Sequence, residues 1–200
     1  MSFGRILFVV EHDVRSENDS CQNDIYNHCS MLNEAQQSFL DEATSQEQLR
    51  AALAKAYRLL AVRGRSEKEL RDALKRAEFA EEIIAATIAD CKQQRFIDDA
   101  NFAKQFIQSR LRNRPMGRMR LTVELKQKGI DASTIDSALD EALTSEDQVA
   151  LADQLAEKQR KRLANLPPLK ARQRLSDFLR RRGFDWETIQ GTKLWADLHE

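Results

Sequence analysis

Glycine and proline are scarce, at six and three residues in a chain of 200. So few turn formers do not suit the short strands and tight turns of a sandwich or barrel, and favour long helices instead. Cysteine is almost missing. Cys21, Cys29 and Cys91 are an odd number with no secretory signal before them, which argues against a disulfide framework and for a reducing, cytoplasmic setting. Cys21, His28 and Cys29 match no zinc spacing and have no fourth ligand nearby. Long apolar runs are lacking too. "RILFVV" near the start is far too short to span a bilayer, and it has neither the length nor the cleavage site of a signal peptide. Phosphate-binding glycine loops, HExxH and GxSxG are all absent, and the three histidines lie in terminal segments. These absences predict no enzyme, no cofactor and no metal. Asp98-Asp99 is the one paired carboxylate of interest. It opens a predicted helix, where acids are favoured as caps.

What is present is a repeat. "ELKQKGID" at 124–131 returns 54 residues later as "FLRRRGFD" at 178–185. The apolar residues Leu121, Leu125, Ile130 and Ile135 follow steps of 4, 5 and 5, as do Leu175, Leu179, Phe184 and Ile189. A third copy lies 51 residues before the middle one, at Leu70, Leu74, Phe79 and Ile84. Leucines at i and i+4 share a helix face, and a step of five fits a turn that folds back into a following helix. A further helical stripe precedes each copy: Leu53, Ala56, Tyr57 and Leu60; Phe102 to Leu111; and Val149 to Leu163. Each unit is therefore predicted as three helices.

Ser66 with Glu69, and Ser145 with Gln148, have capping-box spacing. Gly129 and Gly183 suit helix C-termini, whereas the first unit has Glu78 near that place, so a different turn is expected there. Pro115 and Pro167-Pro168 separate first from second helices.

The fold class is thus all-α: three tandem three-helix, helix-turn-helix-like repeats in an elongated, curved array. The divisions are 46–95, 96–144 and 145–200, after an acidic, flexible extension over 1–45. One unit holds only about four strong anchors and a stripe, at roughly 1.5–3 kcal/mol each. Stacked units are expected to share a core. The leader to residue 49 carries two Arg against nine Asp and Glu. Met31 opens "MLNEAQQSFL", a plausible helix start and an alternative start of translation.

Net charge is zero, yet charge is segregated. Residues 104–128 hold eight Lys and Arg against one Glu. Residues 129–157 hold no base and eight acids, and 158–182 hold ten bases and one Asp. Shifted by 54, Arg118, Arg120, Lys126 and Lys128 fall on Arg172, Arg174, Arg180 and Arg182. On the wheel Arg120 and Lys126 lie about 120° either side of the core direction, so they face solvent or a partner. The candidate partner-binding set is these eight residues with Arg110, Arg112, Arg114 and Arg181. Repeat 1 has Glu67 and Glu69 at the first two positions and stands outside this surface. The charges argue against a sequence-reading helix-turn-helix. The helix that would enter the groove, "ASTIDSALDEAL", carries three acids and no base, which phosphates repel.

"RFIDDANFAKQFIQSRL" at 95–111 and "MGRMRLTVELKQKGID" at 116–131 resemble the middle unit of the RecX family, regulators of the RecA recombinase. "LLAVRGRSEKELRDALKR" resembles the family's first unit and "RLSDFLRRRGFDWETI" its third, so the likeness runs over about residues 50–195. The Gly-Pro usual before the second helix is replaced by Pro115-Met116-Gly117. The resemblance implies a monomeric, non-catalytic, cytoplasmic protein that binds RecA filaments on DNA. It would restrain recombinase, ATPase and coprotease activity, and so influence DNA repair and the SOS response. The basic register adds a further expectation, direct contact with the DNA phosphate backbone. The alternative is a helical repeat protein that binds DNA without sequence preference and without RecA.

Overall fold

The structure is a computed structural model and describes residues 42–198. Residues 1–41 of the acidic leader, with "RILFVV", Cys21, His28, Cys29 and Met31, lie outside the described residues, while 42–45, expected to be flexible, begin a helix. Gln48–Glu200 forms one compact unit. Every regular element among the described residues is a helix. Repeat 1 contains α1 (42–62), α2 (Glu67–Lys75) and α3 (Glu81–Gln93). Repeat 2 contains α4 (Asp99–Asn113), α5 (Arg118–Gln127) and α6 (Ala132–Ala142). Repeat 3 contains α7 (Ser145–Glu157), α8 (Arg160–Leu163), α9 (Pro168–Arg181), α10 (Trp186–Gln190) and α11 (Lys193–Asp197). Its first helix is interrupted where Gln159 N–H donates to the Ala156 carbonyl, a tighter i to i+3 bond.

The 4-5-5 register is the core. All of its members are buried except Phe79, which is partly buried and packs against the rest. The step of five is a Schellman turn. Ile130 N–H donates to the Leu125 carbonyl, and Phe184 N–H to that of Leu179, both at 3.2 Å. Gly129 and Gly183 hold its left-handed position at φ +83° and +88°.

Two expectations need correction. The repeats do not pool one core. Buried residues fall into three separate clusters, one for each repeat. Each repeat covers its own leucines with its own third helix, so little apolar surface is left to share. The turn of repeat 1 differs less than expected: Glu78 sits at φ +62° in the place of Gly129, although the bond from Phe79 N–H to the Leu74 carbonyl that would match the other two turns is not formed. A side chain is therefore tolerated at that φ where nothing packs on it.

The glycines of repeats 2 and 3 answer to close approach. A Cβ on Gly129 would lie 2.5 Å from Lys68 Cβ, and one on Gly183 would lie 2.3 Å from Arg120 Cβ. Each glycine turn is pressed against the start of the second helix of the preceding repeat.

Those helix starts also have their free N–H groups satisfied by the next repeat. α5 has Gly117 as N-cap and no capping side chain. Instead Gly117 N–H donates to the Arg182 carbonyl (2.9 Å) and Met119 N–H to that of Gly183 (3.1 Å). Arg118 N–H donates to Oε1 of the buried Gln148 (3.3 Å). In α2, Ser66 accepts from Glu69 N–H (3.2 Å) and donates through Oγ to the Lys128 carbonyl (2.7 Å). Glu67 N–H donates to Asp99 Oδ1 (2.9 Å).

The capping-box expectations shift accordingly. Glu69 turns away from Ser66 to ion pairs, and the second box is Thr144 with Asp147, one residue earlier than expected. Asp98 does cap α4, accepting from Asn101 N–H at 2.9 Å.

Candidate partner-binding surface

α5 and α9 carry the repeated basic register, and their buried leucines fix which way it points. The four pairs separate into two kinds. Arg118, Lys128, Arg172 and Arg182 are half-buried. Arg118 donates to Asp140 (2.6 Å) and forms a longer ion pair with Asp136 (3.6 Å), both on α6. Lys128 crosses to Glu69 (2.5 Å). Arg182 lies 5.4 Å over the Phe178 ring and donates to the Pro115 carbonyl. Arg172 lies 5.0 Å over the Trp195 ring, and its Nε is buried without a hydrogen-bond partner. These four are engaged with their own protein. Arg120, Lys126, Arg174 and Arg180 are exposed.

Among the exposed four, Arg120 shares Glu124 (3.3 Å), which also takes Arg110 (2.9 Å). No ion pair is formed by Lys126, Arg174 or Arg180 among the described residues. Arg110 also stands over Phe106, and Arg112 and Arg114 are exposed at the end of α4. Arg181 is exposed and lines a groove of about 430 Å³ between α8 and α9, with Arg162, Arg174, Asp177 and Phe178. Arg162 is missing from the residues singled out in the sequence. Its signal was the run "KQRKRL", which counts toward the charge block but shows no register shared with α5.

Electrostatics at the junction between repeats 1 and 2 are of another sort. Partial burial of Glu69 works to raise its carboxyl, yet hydrogen bonds from Arg63 and then Lys128 outweigh it and hold the group at about 2. A hydrogen bond from Lys92 lowers Glu67. Burial raises Asp99, against the N–H it accepts from Glu67. This cluster joins repeats. No group of three or more His, Cys, Asp or Glu among the described residues is placed to hold a metal, and no described helix is long and apolar enough to cross a membrane.

The geometry defines a class: a tandem array of three-helix repeats, in which the glycine turns of repeats 2 and 3 dock on the preceding repeat and the second helices of those two repeats display cations. Comparison with known proteins supplies the family. Models of the first, second and third three-helix domains of RecX match residues 52–91, 98–139 and 146–191. The chain is 40% identical over 142 residues to the regulatory protein RecX of Chlorobaculum tepidum, covering 71% of this chain and 86% of that one. It is 35% identical to the protein of the same name from Pelodictyon phaeoclathratiforme, covering 70% and 84%. A crystal structure of regulatory protein RecX superposes with a TM-score of 0.69 at 27% identity, covering 74% and 72%. That of RecX from Lactobacillus salivarius gives 0.70 at 23% identity, covering 77% and 98%, which speaks to fold alone. This chain belongs to the RecX family of regulatory proteins.

Proposed function

We propose that this protein binds RecA filaments on DNA and restrains their recombinase, ATPase and coprotease activities, so acting on DNA repair and the SOS response. It does so as a cytoplasmic monomer that catalyses nothing and needs no cofactor. The observation that carries this reading is the exposed register Arg120, Lys126, Arg174 and Arg180, repeated on α5 and α9 of a RecX-family chain. Fields from such cations add over a surface, steer association and favour acidic side chains or phosphate. Arg110, Arg112, Arg114 and Arg181 widen that surface. The half-buried four support it from within. The functional body is residues 46–200, divided at 95/96 and 144/145, and a chain starting at Met31 is expected to fold and regulate as well as the full one.

A second reading is favoured by the α8–α9 groove, where Arg162, Arg174 and Arg181 meet only Asp177. It is phosphate binding by the protein alone. Single-strand-DNA-dependent ATP hydrolysis by RecA separates the two. The regulator reading predicts slower hydrolysis at fixed DNA as this protein is added. Unchanged hydrolysis, with tight and steeply salt-dependent DNA binding, favours the second reading.

A further inference from the structure

The two copies of the basic face differ at their centres. Opposite the buried Leu121 and Leu125, the outward direction of α5 falls on Val123, with Met119 one turn before it. Met119 is 60% exposed and Val123 51%. The same positions in α9 are the exposed Gln173 and Asp177, and in α2 they are Lys68 and Asp72. α5 alone of the three second helices therefore has an apolar pair at the middle of its outer face. Arg120 and Lys126 flank that pair. The cations differ as well: Arg120 is shared with Glu124, whereas Arg174, Arg180 and Arg181 of α9 have no carboxylate partner among the described residues.

A single exposed apolar side chain needs no explanation. Two on one helix face, one turn apart and bracketed by cations, have the layout of a protein interface, with an apolar centre and a polar rim. The face is also held in place. The first N–H groups of α5 are bonded into repeat 3, including that of Met119 itself. A phosphate backbone offers nothing apolar to cover Met119 and Val123. A protein surface does.

We propose that the outer face of α5 docks an acidic protein surface, with an apolar side chain seated on Met119 and Val123 and carboxylates facing Arg120 and Lys126. This rests on the regulator reading and assigns that regulator's protein contact to repeat 2, leaving the unpaired arginines of α9 for phosphate. The test uses the full chain carrying Met119→Ser and Val123→Ser. One probe is a RecA filament assembled on oligothymidylate with a slowly hydrolysed ATP analogue. The other is the oligothymidylate alone.

Filament affinity should fall about tenfold or more, as hot-spot residues do. Its salt dependence should persist, because every cation is retained. Affinity for the free oligonucleotide should not change. Val123→Asp should weaken the filament complex further by placing a carboxylate among carboxylates. Unchanged filament affinity in both variants overturns the proposal, as does an equal loss for the free oligonucleotide. A wild-type chain that does not bind the filament at all rejects the regulator reading itself, which is seen before any variant is compared.

Discussion

Gly117→Ala tests the docking of repeat 3 onto repeat 2 by the sign of its effect. Gly117 has φ −77° and ψ 168°, which any residue adopts, so alanine meets no conformational barrier there. Removing a glycine from the unfolded chain should stabilise by about 0.4–1 kcal/mol, offset by roughly 0.5–1 kcal/mol for the poorer N-cap. An isolated repeat 2 would therefore be little changed. In the docked protein the new Cβ would lie 2.3 Å from the Gly183 carbonyl oxygen and 2.7 Å from Phe184 N. These are backbone atoms and cannot swing aside. The turn must withdraw, which breaks the bonds from Gly117 N–H to Arg182 and from Met119 N–H to Gly183. At a net 0.5–1.5 kcal/mol for each bond, the loss is about 1–3 kcal/mol.

The assay is urea unfolding followed two ways. Both tryptophans, Trp186 and Trp195, belong to repeat 3, so fluorescence reports that repeat, while far-ultraviolet dichroism reports all helices. Gly117→Ala should lower the fluorescence midpoint although the substitution lies in repeat 2. A midpoint that rises or stays fixed would refute the docking.

Glu78→Gly should cost little stability or add some, since Glu78 holds a left-handed φ with nothing docked on it. Gly129→Ala at the matching place should cost about 1–2 kcal/mol for the φ alone, and more for the contact with Lys68; equal effects of the two would contradict the role given to the glycines. Glu69 is held at about 2 against an ordinary value of 4.5, so its stabilisation is complete above 4.5 and is lost as pH falls toward 2. The stability difference between wild type and Glu69→Gln, measured by chemical denaturation, should be constant at neutral pH and close across that window.

The helices were legible because period and turn chemistry agreed. Leu121, Leu125, Ile130 and Ile135 give both the buried face and the step of a Schellman turn, and the same sentence is written three times. The exposure of Arg120, Lys126, Arg174 and Arg180 also follows from the wheel. What the wheel does not encode is where cations find partners across repeats. Lys128 meets Glu69 59 residues away, and Arg182 meets the Pro115 carbonyl 67 away, through contacts with no local period. Gly117 lacked a reading for the same reason, since its missing side chain makes room for a turn from another repeat. Gln148 has the spacing of a cap, yet it accepts from Arg118 N–H across a junction. Met119 and Val123 are apolar positions opposite the core that no period marks out. Their meaning depends on their remaining uncovered after folding.

Exposed cations on α5 and α9 are proposed to mediate regulation of RecA. That role is tested by the chain with Arg120, Lys126, Arg174 and Arg180 all changed to Glu, assayed for its effect on single-strand-DNA-dependent ATP hydrolysis by RecA. All four are exposed, so each change should stay within about 0.5 kcal/mol and leave the helical melt near that of the wild type. The folded variant should fail to slow RecA at concentrations where the wild type does, and the wild-type effect should weaken as salt rises. A variant that folds normally and inhibits RecA with wild-type potency would contradict the claim.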